Sequence, residues 1–333
     1  MKWKLALGLA LSAFFLALAF KSARLGDVVQ ALAHAEYWLM IPALALTVFA
    51  FAVRAVRWRF LLAGVRAIPF PPLFAGIMIG FMGNNLLPAR LGELLRADSL
   101  GRSSGIRRST ALASVVVERI LDIFFLLLLL GTILLLRPLS AQIRSWGGRL
   151  LALALPVFLA LILYRAYPRQ VLTVVNRGTP PRFRPRVASM AESFRDGLSA
   201  FTRAGSLFWA FVCSVIMWGC FALVVTLCLH AVHLRLPPEA GPVVMEVMAI
   251  GTMLPSAPGY IGTLQYSGKL ALLQYGVDPS VALSFTFLYH ASQWLPVTII
   301  GLVCFFRQNR RLGRWTSLPG ARSGEEEADR AGE

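Results

Sequence analysis

GNNLLPARLGELLRADSL, residues 83–100, is the stretch whose reading decides the fold. It closes an apolar run, AIPFPPLFAGIMIGFMGNNLLPA (67–89). Into that run's end it brings Asn84, Asn85, Pro88, Arg90, Glu93, Arg96 and Asp98. The chain around it is greasy: 57% of its 333 residues are hydrophobic and 15% are charged. A soluble domain carries about a quarter charged residues. Residues 5–20, 37–53, 204–234 and 279–306 contain no Asp, Glu, Lys or Arg. Runs of roughly 17–25 apolar residues cross a bilayer as helices. The class is therefore an all-α polytopic membrane protein, and no segment between the runs is long enough for a sizeable soluble domain.

Working outward, six runs read as full spans: 4–21, 37–56, 112–136, 150–166, 206–230 and 281–306. The first has a basic start and an apolar middle. No small-x-small cleavage site precedes Lys21 and more spans follow, so it reads as a helix rather than a signal peptide. Two further runs, 67–89 and VMAIGTMLPSAPGYIGTLQYSG (247–268), are long enough to cross but are interrupted by proline and glycine, which break helices. Positive charge arbitrates, because cytoplasmic loops collect Lys and Arg. With both broken runs re-entrant and both termini cytoplasmic, 25 basic residues fall inside and 7 outside. Full crossings would place the loop 165–204, with its eight arginines, outside.

This topology predicts an inverted repeat of halves 1–136 and 150–306. Each half reads as span, broken hairpin, short amphipathic helix, span. Leu87-Pro88 to Gly92 and Leu254-Pro255 to Gly259 share L-P-x-x-x-G, 167 residues apart. Paired broken helices in inverted repeats mark alternating-access carriers. Non-helical backbone at membrane depth is tolerated where it is buried in protein or lines a wet cavity. One integral membrane domain, 1–316, is expected, with a basic cytoplasmic loop 165–204 against anionic lipid. The polar tail 317–333 is expected to be disordered.

The net charge of +17 fits cytoplasmic loops facing anionic headgroups better than it fits nucleic acid. The four cysteines lie in apolar runs without zinc-ligand spacing and read as packing residues. No metal or other cofactor is expected. There is no Walker A pattern, so ATP is not a direct energy source.

The polar residues at membrane depth are the candidate site. Arg90, Glu93 and Arg96 are spaced i, i+3, i+6, near one face of a helix. Arginine pairs well with phosphate, so these residues either receive a lipid phosphate or touch headgroups from an interfacial helix. Between Asp122 and Arg137 only 14 uncharged residues remain. They reach about 21 Å, short of the hydrocarbon thickness, so the span must include Asp122. Glu118 lies one turn away on the same face, with Arg119, Arg90 and Arg96 as the expected counter-charges. His290 and Gln293 are polar positions in the last span, His290 standing 172 residues after Glu118. His290 is either a satisfied structural residue or a proton carrier. Glu246 and Lys269 flank the second broken run and either pair or sit at the interface.

Three motifs in order resemble the lysylphosphatidylglycerol synthase transmembrane-region family, the flippase-like membrane proteins. The N-P-R-G-E-R pattern falls on Asn85, Pro88, Arg90, Gly92, Glu93 and Arg96. E-R-x-x-D falls on Glu118, Arg119 and Asp122. P-x-x-P-G-x-x-G falls on Pro255, Pro258, Gly259 and Gly262. The resemblance covers most of the chain. It implies translocation of a phospholipid, glycolipid or polyisoprenoid-linked lipid across a bacterial inner membrane, with anionic head groups as ligands. A lipid-modifying enzyme or glycosyltransferase is the implied partner. The synthases carry a following transferase domain; this chain ends soon after its last span, so it resembles the membrane part alone and is not expected to be an enzyme. The family gives no defined role for Lys269 or His290. Two other readings stand beside translocation: a scaffold for a lipid-modifying enzyme, and a head-group enzyme using Glu118 and Asp122 as acid and base.

Overall fold

A computed structural model describes residues 2–136, 204–254 and 256–312, with isolated positions between 145 and 180. The expected span 150–166, the loop 165–204, the tail 317–333 and Pro255 lie outside the described residues, apart from those isolated positions. Among the described residues the regular structure is helical: α1 (Lys2–Phe20), α2 (Leu25–Ala33), α3 (Met40–Leu62), α4 (Phe70–Leu86), α5 (Gly92–Ser104), α6 (Arg108–Leu136), α7 (Ala204–Ala231), α8 (Ala240–Gly251), α9 (Thr263–Leu273) and α10 (Pro279–Leu312).

Among the described residues, three helical stretches are long and apolar enough to cross a membrane: Tyr37–Leu62, Gly205–Ala231 and Pro279–Arg310. The chain is a multi-pass membrane protein. The span expected at 4–21 is α1, but it does not run on straight. Ser22 adopts a left-handed φ of 70°, and α2 leaves at 82° to α1, so the pair forms one bent apolar unit. The span expected at 112–136 lies within α6, which starts at Arg108 and so carries Glu118, Arg119 and Asp122 in its interior.

The core is built on α3 and α7. In α3 the buried positions include Ala43, Thr47, Ala50, Phe51, Arg54, Arg57, Trp58 and Leu61, the i, i+3, i+4 spacing of one helical face. That face packs along α7. Phe51 meets Phe221 with ring centroids 5.9 Å apart, and Phe60 stacks on Trp209 at 6.4 Å.

Around this pair sit two helical hairpins, α4–α5 and α8–α9, at the two broken runs. Glycine permits their close approach. A Cβ on Gly83 would stand 2.7 Å from the Cα of Gly92, and one on Gly268 would stand 2.6 Å from Cγ2 of Thr286. Both are closer than real Cβ atoms come.

The two breaks share a backbone pattern. In the first, Pro88 opens a 3-10 turn through Arg90, whose φ is 54°, and α5 begins at Gly92. In the second, Pro258 opens a 3-10 turn through Tyr260, whose φ is 60°, and α9 begins just after Gly262. A left-handed φ in a non-glycine residue is strained and persists only where its surroundings hold it. The turns thus correspond as Pro88 to Pro258, Arg90 to Tyr260 and Gly92 to Gly262. The L-P-x-x-x-G match to Leu254 and Pro255 stands three residues out of this register.

Candidate functional site

α3, α5 and α6 bring seven charged side chains into one buried network. Glu118 is fully buried, and Asp122 is 5% exposed. Arg54 donates from Nε to Glu118 at 2.6 Å and from Nη2 to Asp122. Arg57 reaches Asp122 at 2.7 Å and Glu118 at 3.2 Å. Arg96 pairs with the other oxygen of Glu118. Arg119 pairs with Glu93 and stands 3.7 Å from Asp122. Removing a charge from water costs several kcal/mol, and only well-placed partners offset it. Here each buried carboxylate has at least two arginines. Aromatic faces complete the cage: Arg96 lies 3.8 Å over the Trp58 ring, and Arg54 and Arg119 lie 4.8 and 5.6 Å from Phe81. Four arginines face three carboxylates, so the network keeps one net positive charge.

This network forms one wall of a cavity of about 460 Å³ between the two hairpins. Arg54, Arg119, Glu93 and Asp122 reach its surface. Met245, Met248, Trp218 and Phe221 form an apolar wall, and Asn85, His290 and Gln293 supply a neutral polar one. Arg90 adds a second positive charge at the junction of the two breaks. Its Nη2 donates to the carbonyl of Thr252 at 2.6 Å, and its guanidinium lies 5.9 Å from the Tyr260 ring. An exposed arginine of the first hairpin is thereby tied to the second. The arrangement offers an anion two unequal cations: Arg119, already paired, and Arg90, held only by a carbonyl and a ring.

The remaining sequence-predicted residues fall into three groups. Asn85, Pro88, Pro258 and Gly259 build the junction. Asn85 donates to Thr298 Oγ1 at 2.9 Å. A Cβ on Gly259 would stand 3.0 Å from Trp294 Nε1 and 3.3 Å from the carbonyl oxygen of Asn85. Asn84, Gly92 and Gly262 hold backbone in place: a Cβ on Gly92 would lie 2.5 Å from the Asn84 nitrogen. Asn84 itself sits 3.5 Å from Glu93, at the limit of a hydrogen bond. His290 lines the cavity with its Nδ1 2.9 Å from Gln265 Nε2, and Gln293 donates to Thr47 at 2.9 Å.

Three expectations are corrected. Arg90, Glu93 and Arg96 do not share a helical face, because the break separates Arg90 from α5. Arg90 crosses to the other hairpin while Arg96 is sealed between Trp58 and Glu118, so the two do not form a joint phosphate clamp. Lys269 is not on the cavity wall. Its ammonium donates to the carbonyls of Leu18 at 3.3 Å, Ala19 at 2.8 Å and Lys21, capping the end of α1. It does not pair with Glu246. The counter-charges of Glu118 and Asp122 include two residues that the sequence reading only counted among the 25 basic residues on the cytoplasmic side, Arg54 and Arg57. Their spacing places them on the same face as Phe51, Trp58 and Leu61, and that periodicity was the available signal. Tyr260 was also missed; it lies inside the P-G-Y-I-G run that breaks the second hairpin.

The family model described as lysylphosphatidylglycerol synthase TM region matches residues 5–301. Among proteins of similar sequence is a UPF0104 membrane protein of Methanothermobacter thermautotrophicus. It is 25% identical over 305 residues, covering 84% of this chain and 86% of the relative. A UPF0104 membrane protein of Methanocaldococcus jannaschii is 22% identical over 317 residues, covering 87% of this chain and 90% of the relative.

Proposed function

Since the chain belongs to the lysylphosphatidylglycerol synthase transmembrane-region family, we propose that it is a lipid translocator, carrying a lipid with an anionic head group from one leaflet to the other. The observation that supports this reading most is the cavity between the hairpins, lined both by arginines and by apolar side chains. A lipid has the same two-sided chemistry. Its phosphate would replace the Thr252 carbonyl on Arg90 with a contact in which both partners are charged and two parallel hydrogen bonds can form. Arg119 would provide the second contact. The first carbons of the acyl or prenyl chain would lie against Met245, Met248 and Trp218, with the rest of the chain left in the bilayer. The buried network of Arg54, Arg57, Arg96, Glu118 and Asp122 would hold that positive wall rigid while the hairpins move.

The order of elements supports an alternating-access route. α3, hairpin α4–α5 and α6 are followed by α7, hairpin α8–α9 and α10, with a proline-opened 3-10 turn at both breaks. In this reading the halves insert with opposite sense, both termini face the cytoplasm, and the hairpins enter from opposite sides. Arg90 and Tyr260 are then equivalent positions that meet near the axis relating the halves.

The test is translocation of short-chain labelled phospholipids and a polyprenyl phosphate in proteoliposomes, comparing wild type with R90A and R90K. Movement in wild type, loss in R90A and partial retention in R90K support the reading. A wild-type protein that moves none of these lipids but changes the mass of one would instead be a head-group enzyme. Neither movement nor mass change would favour the scaffold reading.

A further inference from the structure

Glu246 is the buried acid that the site does not use. It lies in α8, one turn after Gly241 and one turn before the break, and is 2% exposed. Both its carboxyl oxygens are buried without a hydrogen-bond partner. The helix it stands on is also the apolar wall of the cavity, through Met245, Met248 and Ala249.

The other buried acids show what an ionised carboxylate needs in this protein. Glu118 has Arg54, Arg57 and Arg96, and Asp122 has Arg54, Arg57 and Arg119. Among the described residues, no cation pairs with Glu246. The helices packed on α8 are α6, α7 and α9. The charged residues of α6 are Arg108, paired with Asp98, and Glu118, Arg119 and Asp122, committed to the buried network. The titratable groups of α7 are Cys213, Cys220, Cys228 and the exposed His230, none of which bonds to the Glu246 carboxyl. On α9, Tyr266 packs on Phe15, and Lys269, the one cation there, is spent on three carbonyls of α1. An isolated ionised carboxylate in such surroundings is prohibitively costly. Burial without a partner favours the neutral carboxylic acid over the carboxylate in this conformation.

We infer that Glu246 is a proton-binding site that links movement of the second hairpin to proton uptake and release. The inference rests on the translocator reading. With the hairpin seated as here, Glu246 holds a proton. When α8 moves and water reaches the carboxyl, the O–H bond breaks, the proton leaves to water and the carboxylate remains. Return of the hairpin requires a proton to be taken up again, from whichever side the carboxyl then faces. One proton is bound and one released per cycle, with no other reactant. Glu246 stands six residues before Thr252, whose carbonyl holds Arg90, on the helix that release of that tie would free to move.

Infrared difference spectroscopy of the full chain in nanodiscs reads the proton directly. The wild type should show a carboxylic-acid C=O band that is lost in E246Q and retained in H290Q. Absence of that band, or its survival in E246Q, overturns the inference. Glutamine mimics the neutral acid, so E246Q should fold; unchanged thermal unfolding checks it. Proteoliposome translocation with an imposed pH gradient then reads the coupling. The gradient should accelerate wild type and leave E246Q unaffected, with basal movement kept in E246Q. Equal acceleration of both overturns the coupling. If no lipid moves in wild type while the band behaves as expected, the translocator reading fails and the proton site stands.

Discussion

At the scale of single residues, the chemistry of this protein is set by which charges are paired. Glu118 neutralises three arginines from two other helices. Removing it leaves Arg96 buried without its paired carboxylate and leaves Arg54 and Arg57 with Asp122 alone; breaking a buried pair in this way typically costs about 3–5 kcal/mol. E118A should therefore lower thermal stability by that order in detergent, and E118Q by somewhat less. R96M alone should also destabilise, because it leaves Glu118 with less compensation. Combining R96M with E118M removes both partners of one pair. Unfolding of the two single variants and the double variant should give a non-additive cycle, the double losing less than the sum. Additivity would mean that Arg54 and Arg57 already neutralise Glu118 completely. R102A changes a partly exposed ion pair with Asp98 at 2.8 Å, and should cost no more than about 1 kcal/mol.

At the scale of the element, the hairpins depend on glycines where two backbones touch. G92A places a methyl 2.5 Å from the Asn84 nitrogen. The first hairpin must splay, and yield of folded protein should fall sharply. G26A, with nothing within 4 Å of the added carbon, is the matched control and should fold as wild type. The tie between the hairpins makes a further prediction. Arg90 joins the first break to Thr252 and Tyr260 of the second. Hydrogen exchange in the peptides covering 84–92 and 250–262 should accelerate in R90A, while α3 and α7 keep their protection. Unchanged exchange at 250–262 would show that the packing of Gly259 on Asn85 and Trp294 holds the junction without the arginine.

At the scale of the whole molecule, the inverted reading places the open ends of the two hairpins on opposite sides of the membrane. Cysteines introduced at Ser103, near the end of α5, and at Leu273, at the end of α9, should react with a membrane-impermeant maleimide from opposite faces of oriented vesicles. Labelling of both from one side would remove the inverted arrangement while leaving the cavity in place. The native Cys213, Cys220 and Cys228 are buried and provide a low background.

The sequence by itself determined the membrane class, the two breaks and the acids Glu118 and Asp122 as interior residues. These follow from local facts: uncharged runs, helix-breaking residues, and a span too short without its charges. Most of the cavity's polar wall was legible too, because Arg90, Glu93, Arg119 and Asp122 stand where apolar periodicity fails. Tertiary structure alone decided the partners. Arg54 and Arg57 read as cytoplasmic-side cations by their place at the end of an apolar run, yet α3 continues to Leu62 and turns them onto the face that meets α6 and α7. Lys269 read as a pathway residue, yet its reach to the end of α1 is set by how α9 packs across a gap of about 250 positions in the chain. The same packing decided between the two readings of Glu246 and Lys269 by keeping them apart. A charge at membrane depth can be found from local sequence, because its cost is local. What neutralises it is chosen by contacts between helices far apart in the chain, and these are fixed only when the helices pack.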